Sequence, residues 1–309
     1  MIPPLPAEPL YRPFEPGPWR MAMGLVSVAE PDWFEIDALY PIEMRLRRDL
    51  LAHRHAEVFG AEPGSDPARR EALAMVATAL AAHHPGWFGL TDGVLHNHLT
   101  GEAWHLDAPG CDPLECAGRL VQEDLCLLQT DAAGPRFTAA VLCFPSRWRL
   151  HEKLGQPLAA VHGPVPFYAD RLARPVDRFM MQLKDGRIAG RLNWSVLDSA
   201  DLFQPTGKWR RDADAAITAA TAGERLFLRV ERQTLRRLPA SQAILFGIRV
   251  HAYPLAAAVT DAASAGRLAA AVRALPEDML HYKSMLPLRA ALLAWLDARS
   301  GRGYDETVA

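Results

Sequence analysis

The chain has 309 residues, half of them hydrophobic and 23% charged, and 34 basic against 36 acidic side chains leave a formal charge of −2. That near-balance argues against a nucleic-acid-binding or strongly membrane-attracted protein, since either would carry a basic excess. No run approaches the roughly 18 uninterrupted apolar residues of a transmembrane helix. The four cysteines, Cys111, Cys116, Cys126 and Cys143, lack Cys-x-x-Cys spacing, so an intrinsic zinc or iron–sulfur site is not expected. Neither a Gly-x-Gly-x-x-Gly nor a Walker-type loop is present to hold a nucleotide.

Residues 1–24 read as an extended, proline-rich arm without the basic start and apolar core of a signal peptide, so a cytoplasmic chain is expected. Met44, Leu46, Leu50, Leu51 and Val58 recur near helical period, and Pro67 opens a second helix that runs to His83. From Gly89 the pattern changes to strand and turn, with a further short strand around Trp104. Pro113 opens an expected helix through Leu120, Val121, Leu125 and Leu128. A strand follows at residues 137–144.

The segment after that strand is the most informative. Pro145 ends the β-type run, a basic stretch follows with Trp148 and His151, and a short apolar run delivers His162 into Gly163-Pro164-Val165-Pro166. Proline fixes φ and pushes the residue before it to extended conformations. His162 therefore sits on a stiff rim where its imidazole is aimed at little entropic cost, which suits a metal or haem ligand. The competing reading is a buried histidine bonded to a carbonyl. Tyr168 to Met181 reads as a helix that Pro175 should kink or split.

Three strands come next, at residues 188–196, 226–235 and 243–253, and helix returns at 262–275 and 287–299. Strand parity sorts their side chains, because residues two apart share a face. Leu226, Leu228, Val230, Arg232 and Thr234 share one face, and Arg229, Glu231 and Gln233 the other. A guanidinium on the otherwise apolar face is costly unless something anionic meets it. A haem propionate, bound dioxygen or a buried carboxylate would each serve Arg232. On the first strand Trp194 lies on the apolar face, with Arg191 on the other. On the third, Gly247, Arg249, His251 and Tyr253 share a face, and His251 is a second ligand candidate. The fold class expected is α+β, an antiparallel sheet of Per-ARNT-Sim (PAS) type with helical extensions at both ends. The division is 1–88 for the arm and helical extension, 89–255 for the PAS-like core, which the resemblance below implies binds haem, and 256–309 for the C-terminal extension.

Several ordered blocks then carry a resemblance. They are Val121-Gln-Glu-Asp-Leu-Cys-Leu-Leu, Phe144-Pro-Ser-Arg-Trp through Glu152-Lys-Leu-Gly to Val161-His-Gly-Pro-Val-Pro, Arg191-Leu-Asn-Trp-Ser, Leu228-Arg-Val-Glu-Arg-Gln-Thr-Leu-Arg-Arg-Leu-Pro, Ile248 to Leu255, and Tyr282-Lys283. Over roughly residues 20–290 the chain resembles the haem-dependent oxidative N-demethylase alpha-subunit-like family. The resemblance implies a PAS-like fold holding haem b, and oxygen-dependent demethylation of a small secondary amine, dimethylamine in the characterised activity. Electrons would come from NADPH through a separate reductase carrying FMN and [2Fe–2S], with tetrahydrofolate linked to the released one-carbon unit. On that footing His162 is the expected iron ligand. His151, Trp148, Arg249 and Trp194 are expected around the cofactor. Arg232 is the first choice to stabilise charge on oxygen, with Arg191 and Arg249 behind it. Glu231 would hold an amine. Alternation puts Glu231 and Arg232 on opposite faces, so both cannot line one cavity without a bulge. A haem-based gas or redox sensor, or a haem-less binding protein of the same family, are the alternative functions.

Overall fold

The computed structural model describes residues 2–301 apart from 132, 133 and 213. Its strands are β1 Val26–Val28, β2 Phe59–Ala61, β3 Phe88–Thr91, β4 Val94–Asn97, β5 Glu102–His105, β6 Asp124–Asp131, β7 Gly134–Val141, β8 Ile188–Leu197, β9 Phe227–Arg237 and β10 Ile244–Pro254. Seven of them form an antiparallel sheet in the order β1-β8-β9-β10-β6-β7-β2, and β3, β4 and β5 form a separate small meander. The fold is α+β, and the three long strands read from the sequence are its centre.

Register assigns the faces. Glu231 lies opposite Asn193 of β8 and Val250 of β10, while Arg232 lies opposite Leu192 and Arg249. Glu231, Gln233, Arg191, Asn193, Phe246 and Ile248 thus share one face. Leu228, Val230, Arg232, Arg249, His251 and Tyr253 share the other. Helices from both ends of the chain cover this second face. Tyr40–His53 and Asp66–His83 pack in a cluster with Leu125, Leu127 and Leu245; Ala262–Ala274 and Arg289–Ser300 pack with Leu228, Val230 and Tyr253.

Two local expectations are corrected. The helix opened by Pro113 ends at Gly118, and Leu125 and Leu128 belong to strand β6. Gly118 is pressed on β7, where a Cβ would fall 2.4 Å from a Val141 methyl carbon. Strand β6 lies between β10 and β7 and is buried on both faces, so its apolar run lacks the alternation that marks a strand. The split expected across Pro175 is present, between Tyr168–Arg171 and Ala173–Gln182. The break falls upstream of the proline because a proline at 175 lacks the N–H that would bond the carbonyl of Arg171. Leu46, expected inward, is 36% exposed, whereas Met44, Leu50, Leu51 and Val58 are buried.

Candidate functional site

A cavity of about 630 Å³ lies against the face that carries Glu231. Its floor is Cys126, Phe246, Ile248, Gln233 and Glu231, and the segment after β7 brings Trp148, Lys153 and His162 to its wall. The helix Ala173–Gln182 adds Val176, Phe179 and Met180. Strand β1 pairs only with Ile188–Gly190, so the outer edge of β8 beyond that point borders the cavity through Arg191 to Ser195 and Leu197. The N-terminal arm closes the rest, with Pro13 and Glu15 to Met23 in the wall. Phe14 anchors it, 1% exposed and edge-on to Trp194 at 6.1 Å, and Trp19 packs on Phe167 at 5.6 Å.

His162 ends the short helix Leu158–Val161, and its Nδ1 is 3.0 Å from the Leu158 carbonyl. A carbonyl oxygen only accepts, so Nδ1 carries the proton and Nε2 keeps its lone pair. Among the described residues Nε2 has no hydrogen-bond partner. Tyr168 stacks on the imidazole at 4.5 Å and 12° and fixes its plane. Burial pushes the imidazole pKa down to about 4, outweighing the Leu158 hydrogen bond, so the ring is neutral at physiological pH. The two readings of His162, carbonyl-bonded and ligand-competent, are thus the same geometry: a backbone acceptor on one nitrogen is how proteins orient the other toward a metal.

Glu231 is the carboxylate on the cavity floor. Ser146 Oγ donates to it at 2.6 Å, Gln233 Nε2 at 2.8 Å and Asn193 Nδ2 at 3.2 Å. Burial pushes its pKa upward, but these donors and the Arg229 guanidinium bring it below the usual carboxylate range. It is an anion held in a largely cationic chamber, since Arg191, Lys153, Lys208 and Lys283 line the same space. Burial lowers the pKa of each of these four, to about 8 for Lys208 and Lys283. Two polar atoms on lining residues, Tyr168 Oη and Arg191 Nε, are buried with no hydrogen-bond partner among the described residues. Unpaired buried donors are costly, so these two atoms call for a partner such as a ligand or water.

The other expected residues divide. Trp148 and Trp194 line the cavity, with Lys153 Nζ 4.0 Å over the Trp148 ring. Arg232 does not reach it. Its guanidinium, on the opposite face, donates to the carbonyls of Asp32 and Trp33 and pairs with Glu35 at 3.4 Å. The buried-carboxylate reading of Arg232 therefore replaces the oxygen-facing one. Arg249 is corrected likewise: it is fully buried away from the cavity, bridging Asp37 and Glu43 at 2.8 Å each. His251 sits on that face between Glu35 at 3.0 Å and Glu8 at 3.4 Å. His151 is exposed and borders a separate, smaller cavity with Glu57 and Arg149. Sequence reasoning does not single out the three lysines or the arm as parts of the site. In the sequence the lysines stand out by scarcity, four in the whole chain, and Lys153 and Lys283 by falling within blocks of the resemblance.

A family model described as haem-dependent oxidative N-demethylase, alpha subunit-like, matches residues 24–293. The chain belongs to that family. The match spans the sheet, His162, Glu231 and Lys283, and begins within the arm. The family is haem-dependent by description, and the cavity fits such a group. It lies within the ~300–1,000 Å³ range of cofactor sites, has an oriented neutral imidazole on its wall, and carries cations to meet acidic substituents. Among the described residues no helix is long and apolar enough to cross a membrane.

Proposed function

We propose that this chain is the haem-binding, catalytic subunit of a multi-component oxidative N-demethylase acting on a small secondary amine such as dimethylamine. His162 Nε2 would hold the iron of haem b, and Lys153 would meet acidic substituents of the group. When bound, haem supplies the activation of dioxygen. The chain's own residues do the rest. Glu231, ionised and fixed by three donors, offers its carboxylate to the N–H groups of a dialkylammonium ion and sets the methyl groups in the cavity. Arg191 supplies N–H donors and positive charge where negative charge develops on oxygen, the role for which a preorganised cation in a dry site is most effective. Trp148, Trp194, Phe179 and Phe246 exclude water. Electrons would come from NADPH through a separate reductase with FMN and [2Fe–2S], and tetrahydrofolate would accept the one-carbon unit in the complex. A PAS-type sensor scaffold turned to catalysis is the fold reading that accompanies this function.

The observation that carries the proposal is the His162 imidazole, neutral, tied through Nδ1 to Leu158 O and placed on the cavity wall. His162→Ala should lose the Soret absorbance of the haem-loaded protein, while His151→Ala and His251→Ala keep it. A His162→Ala protein that binds haem as the parent does, or bleaching by the His251 change alone, would refute the ligand assignment. Dimethylamine-dependent NADPH oxidation with an added reductase separates the enzyme from a sensor, which would show the same absorbance without turnover.

A further inference from the structure

The chain has four lysines, and three of them, Lys153, Lys208 and Lys283, line the cavity. The same chain spends arginine freely elsewhere, and arginine holds an anion as well or better, by its permanent charge and fixed fork of donors. What lysine adds is an amine that loses its proton and offers a lone pair. Lys283 Nζ is placed for this. It donates to Asn193 Oδ1 at 2.9 Å and to the Trp194 carbonyl at 2.6 Å. A neutral amine satisfies both acceptors with its two N–H bonds and keeps the third direction for its lone pair. Lys208 Nζ lies 3.9 Å over the Tyr282 ring. Burial and then the neighbouring charges of Lys153 and Lys283 bring its pKa down to about 8, with Glu231 opposing. Burial and the Arg191 charge do the same for Lys283, again against Glu231. A desolvated amine beside other cations is the setting in which lysine becomes a carbonyl nucleophile.

We propose that the Lys283 amine is a carbonyl-binding site that captures a small aldehyde, the formaldehyde that demethylation releases, as a transient iminium. The identity of the aldehyde rests on the demethylase reading; the carbonyl site itself does not. The Lys283 lone pair attacks the carbonyl carbon, the C=O π pair moves to oxygen, and a proton passes from nitrogen to that oxygen to give a carbinolamine. Loss of the hydroxyl as water, with Lys208 as the nearby ammonium donor, leaves the iminium. The sum is one lysine ammonium plus formaldehyde giving one iminium plus water, with no change of oxidation state. Water or an amine acceptor releases the carbon by the reverse route.

The test uses the full-length chain with formaldehyde and cyanoborohydride at pH 7, which turns an iminium into a stable N-methyl group that peptide mass spectrometry locates. Lys184, which is exposed, is the internal reference. Lys283 should be methylated at least about tenfold faster than Lys184, because burial brings the Lys283 pKa to about 8 and leaves a substantial share of free amine at pH 7. Methylation of Lys283 no faster than Lys184 in the folded protein overturns the proposal. A second arm runs turnover on isotopically labelled dimethylamine with cyanoborohydride present, and label on Lys283 supports the full reading. Labelled formaldehyde released with Lys283 unmodified sinks the carbonyl site alone. Preferential methylation by added formaldehyde with no turnover sinks the demethylase reading and leaves the carbonyl site standing.

Discussion

Glu231 and Arg232 are chain neighbours with opposite fates, because a strand sends successive side chains to opposite faces. Glu231 faces the cavity and Arg232 ties β9 to the segment before the first long helix through Glu35, Asp32 O and Trp33 O. Arg232→Leu should therefore destabilise the fold by about 3 kcal/mol, the scale for breaking a largely buried pair, and lower Tm by on the order of 5–10 °C. Haem content of the remaining folded protein should be unchanged; calorimetry and the Soret band read the two. An undiminished Tm would mean that the pairing with Glu35 contributes nothing. Glu231→Gln keeps the size and one acceptor oxygen but removes the charge. It should leave haem binding intact and lower kcat/KM for the amine by roughly 10- to 100-fold, the worth of a hydrogen bond to a charged group. Steady-state kinetics on a neutral substrate analogue should show no such loss.

At the scale of elements, β6 shows how burial hides a strand. Its residues alternate between the cavity side (Cys126, Leu128) and the helix side (Leu125, Leu127), but both sides are apolar, so helix and strand patterns fit equally well. Gly247 in β10 allows a close approach that a side chain would block: Thr234 Oγ1 lies 2.8 Å from where a Cβ would be. Glu123, just ahead of β6, lies beyond it. One carboxylate oxygen accepts from the Glu35 N–H at 3.0 Å, and the other is buried without a partner among the described residues. Burial raises its pKa from an ordinary 4.5 to about 7, against the pull of Arg249 and Arg232. The folded state then binds more protons than the unfolded state between those values, so stability falls as pH rises from about 4.5 to 7. His251 acts in the same direction. Burial works against its charge, but Glu35 and Glu8 prevail and raise its pKa, so its contribution is full below about 6.5 and is lost as pH climbs through the raised value. Glu123→Gln should remove the carboxylate's share, gaining on the order of 3 kcal/mol above pH 7 and nothing near pH 4. Urea unfolding at both pH values checks this, and parallel curves for the two proteins would contradict it.

Across the whole molecule, the arm does what no local pattern announces. Tyr253 donates to the Pro9 carbonyl, Arg12 Nε donates to the Ala258 carbonyl at 2.8 Å, and Phe14 is buried among the C-terminal helices. Residues 15–25 then cross the cavity wall to β1, which is locked to β8. The arm is thus fixed at both ends and exposed between them, Arg20 included. Trypsin under native conditions should cut after Arg20, and the N-terminal fragment should stay with the body on gel filtration. Separation of the fragment would show that the anchors are weaker than their burial implies. A ligand filling the cavity should slow the cut, because Trp19 and its neighbours pack against the same space.

By itself the sequence determined the central strands, the parity of their side chains and the helices at both ends. These follow from local period, proline chemistry and the two-residue repeat of a strand, none of which needs a distant partner. Tertiary structure alone decided which face of the sheet holds the cavity and which is covered by helices. It also decided that Arg232 and Arg249 spend their charge on Glu35, Asp37 and Glu43, and that three lysines far apart in the chain meet around Glu231. Burial of a charge depends on what folds over it, and here the covering elements come from residues 1–88 and 256–301, far in sequence from the strands they cover.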